Sequence, residues 1–382
     1  MSKNIYVVDG VRTPFCKMGS DFTTASASDL GVCSTKRLFA NLDFDPSLID
    51  ESVMGCVCQP ADTANITRVI ALRAGVPKDV PAYTVHRNCA SGFESVTQVS
   101  DKINAGRGSI YLSGGTENMT NAPFLFNASV VKKFTKLSKS RYFRDKLHTI
   151  LSFRPSDFAP VISLRLGLSD LTVGMNMGQT AELIARENGV TRYHQDKFAL
   201  ESHLKAFVAK KEFAKEITPF YFPDGRFVTE DNGIRGEQSL SALEKLKPVF
   251  DKNGTITAAN ASTINDGAAA VLVSSEEFAL KNDLPIKSQI IAQASSAQKP
   301  EMFTTAPIMA IKKVLKKAEL SIDEIDLFEI NEAFANVVLY AMNKHSIPHN
   351  KVNINGGAVS LGHPIGASGA RILITLISAL KQ

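Results

Sequence analysis

No stretch of this 382-residue sequence approaches the ~20 consecutive apolar residues that cross a bilayer. No long run of one charge occurs either. The 43 basic and 38 acidic side chains leave a formal net charge of +5, which argues against nucleic acid as the main partner. Room remains for a local basic patch facing a phosphorylated ligand. No apolar signal core or Arg/Ser-rich transit segment precedes the strand that opens at Ile5, so a cytoplasmic location is expected. Cysteine is scarce: five, at positions 16, 33, 56, 58 and 89, an odd number that suits a reducing compartment. Cys56 and Cys58 are too close for a zinc knuckle and no second Cys/His pair flanks them. They read as core thiols on a strand, and no metal site is expected. What is present is a globular composition, 44% hydrophobic and 21% charged, long enough for two domain-sized units.

Short Val/Ile-rich runs alternate with segments of helical period at 5–8, 27–41, 52–58, 65–72, 83–86, 91–105 and 109–114, the pattern of an α/β domain. A second set begins near residue 288, with strands expected over 288–294, 327–330 and 352–354 and helices over 306–319, 331–345 and 366–379. The two sets overlay at a shift of about 276 residues. Ala90-Ser91-Gly92 then falls on Ala367-Ser368-Gly369, each after a strand and turn and each opening a helix. The first copy continues into a buried strand from Ser109 to Ser113 and a glycine turn. The matching strand of the second copy would begin beyond Gln382, which predicts an unpaired edge and uncovered apolar surface. Residues 122–250 read as an inserted loop domain, with helices at 177–188 and 191–211, the second opened by an N-cap at Thr191. The expected organisation is a first half over 1–121 with 251–275, the loop domain over 122–250, and a second half over 276–382.

Three places could carry chemistry. Cys89 sits in Asn88-Cys89-Ala90-Ser91-Gly92-Phe93 at the start of a helix, where the dipole favours thiolate and a tight turn presents a nucleophile. A buried structural cysteine is the plain alternative. His363 stands among glycines that permit positive φ and close approach of a ligand chain. Alone it reads as a satisfied structural histidine, but the overlay sets it opposite Cys89 across a pseudo-twofold axis, and a Cys–His pair becomes the better reading. Asn331 and Glu332 follow the strand 327–330 and begin a helix at the carboxyl edge of a sheet, where α/β proteins bind ligands. A helix cap and an acid suited to the dipole are their plain readings. Cys, His and Asn together also suggest a papain-like protease; doubly wound halves with glycine-lined mouths argue against it.

Four segments, NCASGF at 88–93, AANASTINDGAAA at 258–270, NEAFA at 331–335 and GGAVSLGHPIGASGAR at 356–371, together resemble the thiolase family over nearly the whole chain. The resemblance implies a duplicated, five-layered αβαβα fold with an inserted loop domain, assembled as a homodimer or homotetramer. It implies action on coenzyme A thioesters through an acyl-cysteine intermediate, with coenzyme A as substrate and no bound cofactor. Cys89 would take up the acyl group and His363 would activate its thiol. His363, with a water held by Asn331, would form the oxyanion site for the acetyl-CoA enolate, where one donor is worth ~3 to 4 kcal/mol. Ser262 matches a position that touches the pantetheine, and Met177 and Phe334 match positions lining the pantetheine and acyl pocket. Their plain readings are a turn-capping serine and two core residues. The family often has a histidine before that methionine; here Asn176 stands there, which counts against a short-chain acetoacetyl preference.

Lys132, Lys133, Lys136, Lys139, Arg141, Arg144 and Lys146 are interleaved with Val130, Phe134, Leu137, Phe143 and Leu147, as in a basic amphipathic helix or an ordinary solvated face. Through Phe153-Arg154-Pro155 and Phe158-Ala159-Pro160 this stretch resembles thiolase subunits of fatty-acid-oxidation trifunctional complexes. That implies long acyl chains, a hydratase/dehydrogenase partner subunit and weak contact with a membrane surface. The family also carries a second reactive cysteine in a C-terminal Cys-x-Gly motif, the acid/base of the reaction, which the sequence does not reach before Gln382. Two expectations follow: a C-terminus that continues past this sequence, or a degenerate thiolase in which Cys89 is acylated while turnover collapses. The expected activity is that of an acetyl-CoA C-acyltransferase, a 3-ketoacyl-CoA thiolase of fatty acid β-oxidation. Acetoacetyl-CoA thiolase, running Claisen condensation, is its near neighbour. A decarboxylating ketosynthase is set aside because Asn331 stands where that branch tends to use a second histidine. A non-catalytic CoA- or lipid-binding subunit is the alternative from another class.

Overall fold

Local signals carried openly by the sequence build the first half. The structure, a computed structural model, describes residues 3–382; the first two residues of the expected first half, where a leader-free start is read, lie outside the described residues. β1 (Ile5–Arg12) leads to α1 (Ala27–Leu42), whose start is fixed by a reciprocal cap. Ser26 Oγ accepts from Asp29 N, and the Asp29 carboxylate accepts from Ser26 N. There follow β2 (Glu51–Gly55), α2 (Ile66–Ala74), β3 (Ala82–Val85), α3 (Ser91–Asn104) and β4 (Ile110–Glu117). The intervening region holds α4 (Ala128–Lys139), α5 (Phe143–Leu151), α6 (Met177–Glu187) and α7 (Arg192–Val208), the last capped by Thr191 as its sequence predicts. β5 (Asn265–Ser275) returns the chain to the sheet, and β6 (Ser288–Gln289), α8 (Ala306–Ala318), α9 (Ala335–His345) and α10 (Ile365–Ala379) complete it.

The sheet runs in the order β6-β1-β5-β4-β2-β3. β2 is parallel to both β3 and β4, while β5 is antiparallel to β4 and β1. Every residue of β4 and β5 is buried, as central strands covered on both faces must be. On one face Leu38 and Phe39 of α1 and Ala71 of α2 pack on Val8, Leu112 and Leu272. On the other, Val96 and Val99 of α3 and Ala370 and Ile374 of α10 pack on Val7, Val53 and Val271. So α10, which belongs to the second half by sequence, lies on the first half's sheet beside α3. This is the joint between the halves.

The strands expected over 288–294, 327–330 and 352–354 do not make a second sheet. Only Ser288–Gln289 is a strand, and it pairs with the edge of β1 through Tyr6↔Gln289 and Val7↔Ser288. The other two meet in a single parallel bridge, Phe328↔Val352. The strand order gives the reason: in the first half β4 and β5 lie between β1 and β2, and residues 276–382 hold no counterpart of either. A first strand separated from its second by two absent neighbours has nothing in its own half to bond with. Ile308 and Ile311 of α8 and Val338 and Met342 of α9 still gather with Phe328, Ile330 and Val352 in a separate core cluster. Between β1 and α10 a cavity of about 660 Å³ is bordered by Val7, Gly10, Ile374 and Ile377 with Glu216 and Lys287.

Two smaller expectations are also corrected. Cys56 and Cys58 lie past the end of β2, on the turn that follows rather than on the strand, because Gly55 ends the pairing with β3 at Val85. The basic stretch is two helices instead of one, broken at 140–142, with Tyr142 and Phe143 at the break 74% and 77% exposed.

Candidate active site

Cys89 is held by a turn that its neighbours close. Ser91 Oγ accepts from Arg87 N at 2.8 Å and donates to Asn88 O at 2.7 Å, and Asn88 takes a left-handed φ of 45°. The result stands Cys89 two residues ahead of α3, open to solvent. The mass of protein around its sulfur nonetheless pushes the thiol up to about 11; its own backbone N–H draws it back and the Glu117 charge adds to the rise. Exposure and this rise pull in opposite directions, and the helix terminus does not prevail. The helix start favours thiolate, as the sequence suggests, but desolvation and the Glu117 charge hold the thiol above its ordinary value, which leaves its deprotonation to a base.

His363 lies two residues ahead of α10, as Cys89 does ahead of α3. Its Nδ1 is 2.6 Å from Ser368 Oγ, and that hydroxyl donates to Pro364 O at 2.8 Å. With the hydroxyl proton so committed, the network assigns Nδ1–H as donor to Ser368 and leaves Nε2 unprotonated, an acceptor. Asn331 Nδ2 approaches that Nε2 at 3.4 Å. Burial, with Arg371 adding, pushes the imidazole down to about 4, so it is neutral near pH 7 and able to accept a proton. A protonated thiol and a neutral imidazole are the two partners a proton transfer requires.

Asn331 is not a helix cap. α9 begins four residues later, at Ala335, and Phe334 occupies the cap position without a side-chain bond. The turn is held instead by its backbone: Ser262 N donates to Ala333 O at 3.0 Å and Ala335 N to Asn260 O at 2.9 Å. Relieved of capping, Asn331 points its amide at His363, and its buried Oδ1 has no partner among the described residues. Glu332, beside it, is structural: fully buried, it accepts from Asn353 Nδ2, Ser202 Oγ and Val359 N.

Of the residues expected to line a pocket, Phe334 and Met177 meet beside the turn that precedes α9. Phe334 packs in one cluster with Met177, Phe250, Ala261 and Ala333 and meets the Phe250 ring edge-on at 6.0 Å. Ser262 lies half-buried beside them, and His363 N donates to Thr263 O at 3.2 Å, which ties this strand to the histidine turn. Asn176 caps α6 through Gln179 N and the reciprocal bond, so Met177 is the first residue of that helix.

Cys89 reaches the site from the other half, across the joint. A Cβ built at Gly92 would lie 2.6 Å from Ala370 N, and one at Gly369 would lie 2.3 Å from Phe93 N and 2.9 Å from Gly92 C. Only glycines allow α3 and α10 to touch there. These are the two glycines that the repeat overlay superimposes, and through them the helices that follow Cys89 and His363 touch. Sequence reasoning missed two residues: Ser368, visible only as a small residue in the overlay, and Glu117, which extends β4 past its glycine turn and meets both halves.

Comparison with known proteins gives the family. Residues 5–277 match the family described as thiolase, N-terminal domain, and residues 284–382 match thiolase, C-terminal domain. A probable acetyl-CoA acyltransferase of Staphylococcus aureus strain COL is 38% identical over 378 residues, which are 97% of this chain and 91% of that protein. The crystal structure of human mitochondrial 3-ketoacyl-CoA thiolase is similar with a TM-score of 0.89 and 32% identity over 99% of this chain and 92% of that one, and it has also been solved in complex with CoA. That of Bacillus anthracis acetyl-CoA acetyltransferase gives 0.90 and 31% over 100% and 93%. With both halves matched in order and the chain superposing on such structures nearly end to end, this protein belongs to the thiolase family and, with it, to the acyltransferases.

Proposed function

We propose that this thiolase is an acetyl-CoA C-acyltransferase that cleaves 3-ketoacyl-CoA with CoA, in fatty acid β-oxidation. What supports this reading is an open Cys89 two residues ahead of α3 and a neutral His363 two residues ahead of α10, on helices that touch through Gly92 and Gly369. Cys89 Sγ gives its proton to His363 Nε2 and bonds to C3 of the substrate. The C2–C3 bond breaks, the shortened acyl group stays on sulfur as a thioester, and acetyl-CoA departs as its enolate. The enolate oxygen is met by the His363–Asn331 pair, and the Asn331 Oδ1 is available to hold a water there. Protonation of the enolate is the step the resemblance gives to a second cysteine. The CoA thiol then gives its proton to the group that protonated the enolate and bonds to the acyl carbon, the acyl–sulfur bond to Cys89 breaks, and Cys89 takes its proton back from His363. Ser262, Met177 and Phe334 line the pantetheine and acyl channel.

The acetyl-CoA acetyltransferase neighbour supports a second reading, condensation of two acetyl-CoA. Asn176 in its capping role, in place of a histidine, favours the longer substrate. The protein acts in the cytoplasm as a homodimer or homotetramer. α4 and α5 expose Phe143, Leu147 and Leu151 beside seven cations, which suits contact with a hydratase/dehydrogenase partner subunit or a membrane surface.

Incubation with a 3-ketoacyl-CoA is expected to add one acyl mass to the peptide containing Cys89, and none to Cys89→Ala. An unmodified Cys89 peptide would end this reading. A higher kcat/KM for acetoacetyl-CoA than for a long-chain 3-ketoacyl-CoA would shift it to the second.

A further inference from the structure

Glu117 ends β4 with a carboxylate that no solvent reaches. Oε2 accepts from Gly366 N at 2.8 Å and Val57 N at 3.1 Å; Oε1 accepts from Cys58 N at 2.8 Å and from Cys56 Sγ at 3.6 Å. One side chain thus holds three backbone N–H groups drawn from two places far apart in sequence. Gly366 belongs to the first turn of α10, three residues after His363. Val57 and Cys58 belong to the turn after β2, whose Gly55 presses so closely on α3 that a Cβ there would lie 2.6 Å from Ser91 C, two residues after Cys89.

Every group around this carboxylate is a donor. Four donors and no acceptor suit an ionised carboxylate; a carboxylic acid would have to turn an O–H toward an N–H and break at least one bond. Burial pushes Glu117 up to about 7 while the N–H groups of Cys58, Gly366 and Val57 pull it back. The other titratable groups of this region are Cys56 and Cys58 on the turn, Cys89 ahead of α3, Asp266 at the head of β5 and His363 ahead of α10.

We propose that Glu117 is a positioning residue for the acyl transfer, clamping the turn behind Cys89 to the first turn of α10 and so fixing where Cys89 and His363 stand relative to each other. The inference rests on the Cys–His reading above and goes beyond it in giving one buried carboxylate control of the pair's geometry. It makes no contact with substrate.

The test is the rate of Cys89 alkylation by iodoacetamide from pH 5 to 10, with kcat and KM for acyl transfer, in Glu117→Gln, Glu117→Asp and Glu182→Gln. Glu182 is the comparison because its buried carboxylate likewise accepts from backbone N–H groups, those of Thr255 and Ile256, away from the joint. Glu117→Gln is expected to lower kcat by about 10²-fold with KM within about twofold, and to move the alkylation profile toward that of His363→Ala. Glu117→Asp, which keeps the charge but is one methylene short, falls between. Glu182→Gln lowers the thermal midpoint without moving the profile. A Glu117→Gln protein with wild-type kcat and profile would overturn the proposal, as would a loss seen only in the thermal midpoint. If His363→Ala itself leaves the Cys89 profile unchanged, it is the Cys–His reading that fails.

Discussion

The two halves of this protein share a sequence plan and differ in what they make of it. The first turns its apolar runs into a sheet whose central strands are wholly buried; the second turns equivalent runs into one strand borrowed by the first half's edge and one bridge. Its helices form all the same, at 306–318 and 335–345, against expectations of 306–319 and 331–345. A helix closes its own hydrogen bonds, so its pattern suffices wherever an apolar face finds cover. A strand has no bonds of its own. It exists only if the neighbours on either side are supplied, and residues 276–382 do not supply the two that would lie between the first and second strands.

The largest test of this contrast is amide exchange. Amides of Leu112 and Val271 in the first-half sheet are expected to exchange on the order of 10⁴-fold more slowly than those of Phe328 and Asn353, whose bonds join one isolated bridge. Equal protection, read residue by residue, would mean the second half is as cooperative as the first.

The joint between the halves comes next. Gly369→Val would drive a side chain into Phe93 N and is expected to destabilise by about 3 kcal/mol, read from the urea midpoint. Gly189→Ala is the comparison: it faces open space at φ +64° and should cost only about 1 kcal/mol. Similar losses in the two variants would show that the halves do not meet through this glycine.

A comparable effect, spread over the acid range, is in pH. In the unfolded chain His363 takes a proton below about 6.5, whereas in the folded protein it stays neutral to about 4. Its contribution is therefore whole above 6.5 and lost as pH falls toward 4, up to roughly 3 kcal/mol. Glu117 carries the opposite sign: raised to about 7, it contributes fully below its ordinary range and loses that contribution as pH rises through 7. His363→Asn should flatten the acid limb of a thermal-midpoint curve and Glu117→Gln the neutral limb. Unchanged limbs would deny the burial of both groups.

Much of the site was legible before any coordinates. Cys89 and His363 stand out because each precedes a helix within a run of small residues, and the overlay pairs them. Asn331 was misread as opening a helix because an Asn after a strand is so often a cap; the backbone bonds from Ser262 and to Asn260 that hold it off the helix are made over long sequence distances. Glu117 left no local trace, since its partners are 59, 60 and 249 residues away.

By itself the sequence determined the family and most of the helices, because periodicity, capping and motif order are properties of neighbouring residues. The tertiary structure alone decided that the second half keeps no sheet, that the Cys89 thiol is raised rather than lowered, and that one carboxylate spans both halves. Strand pairing, desolvation and buried hydrogen bonds depend on groups brought together by the fold, and no window of adjacent residues contains them.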